Sequence, residues 1–155
     1  MPDSAGSVRS GSCLCGRVAF TVVGDPHDPH VCGCAHCATR SGALFQWWVA
    51  FPTEDLTWTA GEELLTWFDT YVGETARAFC ARCGTHLAAR DYTDPSLTGI
   101  LVPALEDPTD PALVPSNLHR LPQAARWLAS GAGHEDTGAT GTSARNGITL
   151  HGLTR

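Results

Sequence analysis

All seven cysteines of this 155-residue chain fall in three short clusters, and that spacing constrains the fold more than any other feature. Cys13-Leu14-Cys15 is a C-x-C pair, Cys32-Gly33-Cys34-Ala35-His36-Cys37 a C-x-C-x-x-C triplet, and Cys80-Ala81-Arg82-Cys83 a C-x-x-C pair. An odd count leaves one thiol over in any fully paired disulfide framework. The first residues, Met-Pro-Asp-Ser-Ala-Gly, have neither the basic region nor the apolar core of an export signal. A reducing, cytoplasmic compartment is therefore expected, where paired cysteines bind metals or act in catalysis more often than they staple a fold.

Two pairs supply four sulfurs and the triplet supplies three. Four thiolates close a tetrahedral zinc site, whereas a catalytic zinc keeps three protein ligands and one open position. Zinc is the expected metal, ahead of an iron–sulfur cluster, because all-thiolate tetrahedral sites suit it. Cys13, Cys15, Cys80 and Cys83 are thus expected in a structural zinc site that locks a thin β core. For Cys32, Cys34 and Cys37 three readings are open. They hold a second zinc with a vacant position, or His36, His86 or His119 closes the site, or Cys32 and Cys37 form a redox pair.

The remaining composition excludes several classes. The ten basic residues are all Arg, against sixteen Asp and Glu, for a formal net charge of −6. That balance argues against nucleic-acid binding, whose sequence-independent affinity comes from clustered cations. The longest apolar run, Leu44 to Phe51, is interrupted by Gln46 and far too short to span a membrane. Seven thiolates around two divalent ions add −3 to the formal −6, so an anionic substrate would need arginine help.

Arg17 to Val23 alternates Val18, Phe20 and Val22 with smaller or polar residues, as a half-buried strand does. Asp25-Pro26-His27-Asp28-Pro29 is a turn-rich break, and the triplet follows as one tight loop closed by Ser41-Gly42. Further strands are expected at Leu44–Phe51, Glu74–Phe79, His86–Arg90 and Leu97–Ala104, with a hairpin joining Leu56–Thr59 to Leu64–Phe68 around Gly61. The one helix with clear signals runs from Pro122 to Gly131, and Ile148–Leu153 reads as an added strand. The organisation is a flexible lead-in over 1–10, a mostly β zinc-binding domain over 11–130 and a flexible tail over 131–155.

Other candidates are weaker. His27, His30, His134 and His151 lie in turn or tail sequence and read as solvated. Trp47 and Trp48, adjacent on a strand, must face opposite sides, so one of them is free to line a cleft. Arg40 and Arg77 lie near the cysteine motifs, and Arg40 in particular is placed either to meet a substrate carboxylate or to stand solvated.

These residues resemble the glutathione-dependent formaldehyde-activating enzyme family, which shares a domain with centromere protein V. The likeness runs through Gly11-Ser-Cys13-Leu-Cys15-Gly-Arg-Val, the triplet with Ser41-Gly-Ala-Leu-Phe45, and Phe79-Cys80-Ala-Arg-Cys83-Gly-Thr-His-Leu87. It continues through Ala104-Leu-Glu-Asp-Pro108 and Pro115 to Trp127. The resemblance implies a β-tent of antiparallel sheets. It places Cys13, Cys15, Cys80 and Cys83 on a structural zinc, and Cys32, Cys34 and Cys37 on a catalytic one. It implies a carbon–sulfur lyase that adds the glutathione thiol, or a similar one, to formaldehyde or another small electrophile. The rival is a zinc-stabilised β binding module without turnover.

Overall fold

The computed structural model describes residues 6–119. The chain divides into two units, Met1–Gln123 and Ala124–Arg155, and every described residue belongs to the first. The expected helix at 122–131, the strand at 148–153 and the tail lie outside the described residues.

The described chain is mostly β, as expected. Strands β1 (Val8–Ser12), β2 (Ala19–Val23) and β5 (Leu56–Ala60) form a three-stranded antiparallel sheet in the order β1-β2-β5. A seven-stranded sheet gathers β3 (His27–Cys32), β4 (Gln46–Pro52), β6 (Leu65–Tyr71), β7 (Thr75–Cys80), β8 (His86–Asp91), β9 (Leu97–Leu101) and β10 (Asn117–His119). Its order is β10-β3-β4-β9-β8-β7-β6, antiparallel except that β10 runs parallel to β3. Helix α1 (Ala35–Ser41) joins β3 to β4.

One continuous core ties the two sheets together. Phe20 and Val22 from the small sheet, with Val18 just before β2, cluster with Val49, Phe51, Ala78, Leu87, Ala88 and Ile100 from the large one, all fully or almost fully buried. In β7 the buried Ala76, Ala78 and Cys80 alternate with half-buried Arg77 and Phe79. The inward face of this strand is therefore small, and its outward face carries the arginine.

The structure departs from the sequence reading at five places. β1 begins at Val8, inside the segment expected as a loose lead-in, because all five of its residues pair with β2. The Pro/Asp stretch expected as a break lies partly in β3. There the pairing with β4 is irregular between His27 and His30, and Asp28 takes a φ of 43°. The segment Leu97–Ala104 is strand only to Leu101, since Pro103 turns the chain into a 3₁₀ turn at Val102–Ala104.

The fourth difference is the expected hairpin, which does not form. β5 pairs with β2 and β6 pairs with β7, so the chain crosses from one sheet to the other at Gly61. Trp58 stands opposite Phe20 on β2, with ring centroids 5.4 Å apart and the rings edge to face. That non-local pair outweighs the local turn signal. Gly61 itself has a φ of 66°, and a Cβ there would collide with the Arg17 carbonyl. Gly61→Ala is accordingly expected to cost about 2 kcal/mol or more. A urea titration would show the midpoint falling with an unchanged slope.

The fifth difference is α1. The triplet was expected as a tight loop, but its second half is helical. Cys34 is the N-cap, its sulfur accepting from the Cys37 backbone N–H at 3.3 Å, and Gly42 ends the helix at a φ of 70°.

Candidate metal centres

Local turns aim the two cysteine pairs at one point. The Gly16 N–H donates to the Cys13 carbonyl and the Gly84 N–H to the Cys80 carbonyl, at 2.9 and 2.8 Å. Gly84 has the positive φ, 74°, that its place after the C-x-x-C pair suggests. All four sulfurs of Cys13, Cys15, Cys80 and Cys83 lie within 4.8 Å of one another. Two of the separations, Cys13 to Cys15 and Cys15 to Cys80, are 3.4 and 4.0 Å. They bracket the edge of about 3.8 Å that follows from a tetrahedron with Zn–S bonds of about 2.3 Å. No cysteine of the chain is in a disulfide.

The cluster belongs to the core. Cys13 and Cys80 are buried, and Cys15 and Cys83 pack against the same cluster. The sulfurs already accept hydrogen bonds: the Val18 N–H lies 3.3 Å from Cys13 Sγ, and Thr85 Oγ1 lies 3.1 Å from Cys83 Sγ. Without a metal, burial pushes the Cys15 thiol up to about 12, reinforced by Cys13 and Cys83. Burial also raises Cys83, but Thr85 and the Cys15 hydrogen bonds outweigh it and bring that thiol down to about 6.

The triplet gathers as a second cluster. Cys32 closes β3, Cys34 caps α1 and Cys37 lies in its first turn, and their sulfurs again lie within 4.8 Å of one another. Among the described residues no fourth His, Cys, Asp or Glu donor joins them within that span. His36, His86 and His119, weighed as closing ligands, are engaged elsewhere. His36 stacks on Tyr71 at 4.7 Å, and its Nε2 is buried without a hydrogen-bond partner. His119 stacks on His30 at 4.3 Å. His86 Nδ1 lies 3.1 Å from Arg40 Nη1 and 3.3 Å from Gln46 Nε2. Both neighbours are donors, so Nδ1 is the accepting nitrogen. Burial, and then the Arg40 charge, hold the His86 pKa below its ordinary value.

Burial raises Cys34, but hydrogen bonds from the Cys37 backbone and the neighbouring thiols prevail and lower it. Cys37 is pushed up to about 12 by burial, with Cys34 and Cys32 adding to the effect. Hydrogen bonding within the triplet thus shifts Cys34 and Cys37 in opposite directions.

A cavity of about 150 Å³ opens beside the triplet, lined by Cys32 and Cys37 together with Trp48, Arg77 and Gly99. Of the adjacent tryptophans, Trp48 lines the cavity, while Trp47 packs against the core and donates Nε1–H to the Leu113 carbonyl at 3.0 Å. Arg40, expected near a substrate, does not line the cavity but ties α1 to His86 on β8. Arg77, noted in the sequence only for its proximity to a motif, does line it.

Taken together, the described chain is a small two-sheet β protein with two sulfur clusters, each able to hold a metal ion. Its sequence matches the profile of the glutathione-dependent formaldehyde-activating enzyme family over residues 8–120, and the chain belongs to that family. Two fungal proteins provisionally named glutathione-dependent formaldehyde-activating enzymes are similar to it. The one from Aspergillus terreus is 30% identical over 99 residues, covering 64% of this chain and 51% of that protein. The one from Talaromyces marneffei is 28% identical over 88 residues, covering 57% and 46%. The chain spans about half the length of these curated relatives. The crystal structure of a Rhodobacter sphaeroides structural-genomics target superposes with a TM-score of 0.57 at 26% identity, over 70% of this chain and 98% of that one. Among the described residues no helix is long and apolar enough to cross a membrane.

Proposed function

We propose that this chain is a zinc enzyme of the carbon–sulfur lyase type, adding glutathione or a similar thiol to formaldehyde or another small electrophile. Cys13, Cys15, Cys80 and Cys83 would hold a structural zinc, and Cys32, Cys34 and Cys37 a catalytic one. The observation that carries this division is where each cluster sits. The four-sulfur set is part of the core cluster, with Cys13 and Cys80 buried and Cys15 and Cys83 packed against them, whereas the three-sulfur set borders a cavity and has three ligands rather than four. A zinc ion held by these three cysteines would keep a position open and would lower the pKa of a thiol brought to it.

The chain's own residues prepare that position. Cys34 caps α1 and so fixes where two of the three sulfurs point, while Arg40, His86 and Gln46 hold the helix against the sheet. Trp48 and Gly99 wall the cavity. In the reaction an S–C bond forms as the carbonyl π pair moves onto oxygen, which takes up the proton the thiol released. Family membership and the relatives' names support this choice of substrates.

The test joins metal content to exchange kinetics. The purified protein is expected to hold two zinc ions per chain. It should also accelerate exchange between glutathione, formaldehyde and their adduct in two-dimensional exchange NMR at equilibrium. One tightly bound zinc with no rate effect would instead favour a zinc-stabilised binding module.

A further inference from the structure

We infer that Arg77 and Trp48 form a carboxylate-binding subsite beside the Cys32–Cys34–Cys37 cluster, which selects thiols carrying a carboxylate. The inference rests on reading the triplet as a thiol-binding site. It adds which group of the thiol is recognised, and by what.

Three observations converge on Arg77. First, it is a half-buried cation without an acidic partner. The ion pairs within 4.0 Å among the described residues are Arg9 with Asp110 and His30 with Asp28. Asp91 feels the charge of Arg77 but stands beyond that distance. One guanidinium N–H reaches the Ala76 carbonyl at 3.3 Å, which leaves most of its five donors for another acceptor.

Second, the guanidinium is held in place. It lies over the Trp48 indole with its Cζ 5.3 Å from the ring centroid. Arg77 on β7, Ala89 on β8, Gly99 on β9 and Ala50 on β4 are successive partners across the sheet. The two residues between the arginine and the tryptophan's strand are thus the smallest available. A Cβ on Gly99 would stand 3.2 Å from the Ala89 Cβ and 3.6 Å from Trp48 Cε3, crowding the groove that the arginine crosses. An arginine held over a ring in this way can still offer a pair of N–H donors to a carboxylate.

Third, Arg77 lines the same cavity as Cys32 and Cys37. At about 150 Å³ the cavity is smaller than an ordinary ligand pocket of about 300 Å³ or more, so a tripeptide thiol could place only one end there. A thiol and a carboxylate a few bonds apart fit that space. Asp28 also lines the cavity, with its side chain about half exposed, its Oδ1 accepting from Asn117 Nδ2 at 3.2 Å and its Oδ2 3.2 Å from His30 Nδ1. The subsite also answers the charge problem set by seven cysteines and a formal −6.

The experiment compares two matched thiols, 3-mercaptopropionate and 3-mercaptopropan-1-ol, by calorimetric titration of the zinc-loaded protein. The wild-type protein is expected to bind the carboxylate thiol about ten- to a hundredfold more tightly, the range of a charge-assisted pair. In Arg77→Gln that ratio should fall to near unity, and in Arg77→Lys it should recover in part. On the wild-type protein, propionate should compete with 3-mercaptopropionate where propionamide does not. Equal affinities in the wild type would overturn the inference. So would a preference that survives Arg77→Gln, which would place the carboxylate elsewhere, for example on the metal. Because binding is the readout, a carboxylate preference without turnover would count against the enzymatic reading alone.

Discussion

Cys83→Ser is expected to abolish the cooperative folding transition near room temperature. Cys83 is half-buried at the turn after β7, so exchanging sulfur for oxygen there leaves no sizeable cavity in the core. By packing alone the change should cost under about 1 kcal/mol. Loss of a ligand of the proposed structural zinc is a different matter. A structural zinc site in a small domain contributes on the order of 10–16 kcal/mol of apparent binding energy, comparable to the whole stability of about 5–15 kcal/mol. Cys83→Ser therefore separates the two contributions more cleanly than Cys80→Ser, whose site is fully buried. Cys83→His should restore a folded protein, since three thiolates and an imidazole also make a closed zinc set. Thermal melts followed by circular dichroism, with zinc counted in each variant, would decide it. A Cys83→Ser melting temperature within a few degrees of wild type would sink the structural role of this cluster.

The two sulfur sets were legible in the sequence because C-x-C and C-x-x-C spacing is a local property, set by turns that a few residues complete. Thr85 in the Cys80 turn bonds back to Cys83 locally, but it also accepts from the Leu14 N–H, and that long-range bond between the two turns is not readable from spacing. The alternation of Ala76, Ala78 and Cys80 with Arg77 and Phe79 was likewise readable as a strand.

What escaped was non-local. α1 has seven residues, too few to be stable alone, and it exists because Cys34 caps it and its neighbours tie it to the sheet. The β5–β6 hairpin was a reasonable reading of Gly61, but Phe20, far away in sequence, captures Trp58. Arg77 carried no local mark of importance either. Its meaning comes from Trp48 two strands beyond β8, visible only once β9 and β8 lie between them. Strands and cysteine clusters announce themselves locally, whereas a cavity lined from across a sheet needs the strand order.

Cys34→Ser should separate activity from stability at the other cluster. Serine is among the preferred N-cap residues, and its hydroxyl can accept the Cys37 N–H that the sulfur now accepts at 3.3 Å. Helix α1, and with it the position of Cys37 and the Arg40–His86 contact, is therefore expected to persist. The third thiolate is lost, and a hydroxyl is a poor zinc ligand at neutral pH. Zinc content should fall from two per chain to one, and kcat/KM should drop by about a hundredfold or more, equivalent to about 3 kcal/mol in the transition state. The melting temperature should move by no more than about 4 °C. Cys34→Ala provides the control, because it removes cap and ligand together and should lose about 1 kcal/mol of stability as well. Unfolding of Cys34→Ser to the same degree as Cys83→Ser would contradict the division of labour between the two clusters. Full activity in Cys34→Ser would remove the triplet from the chemistry altogether.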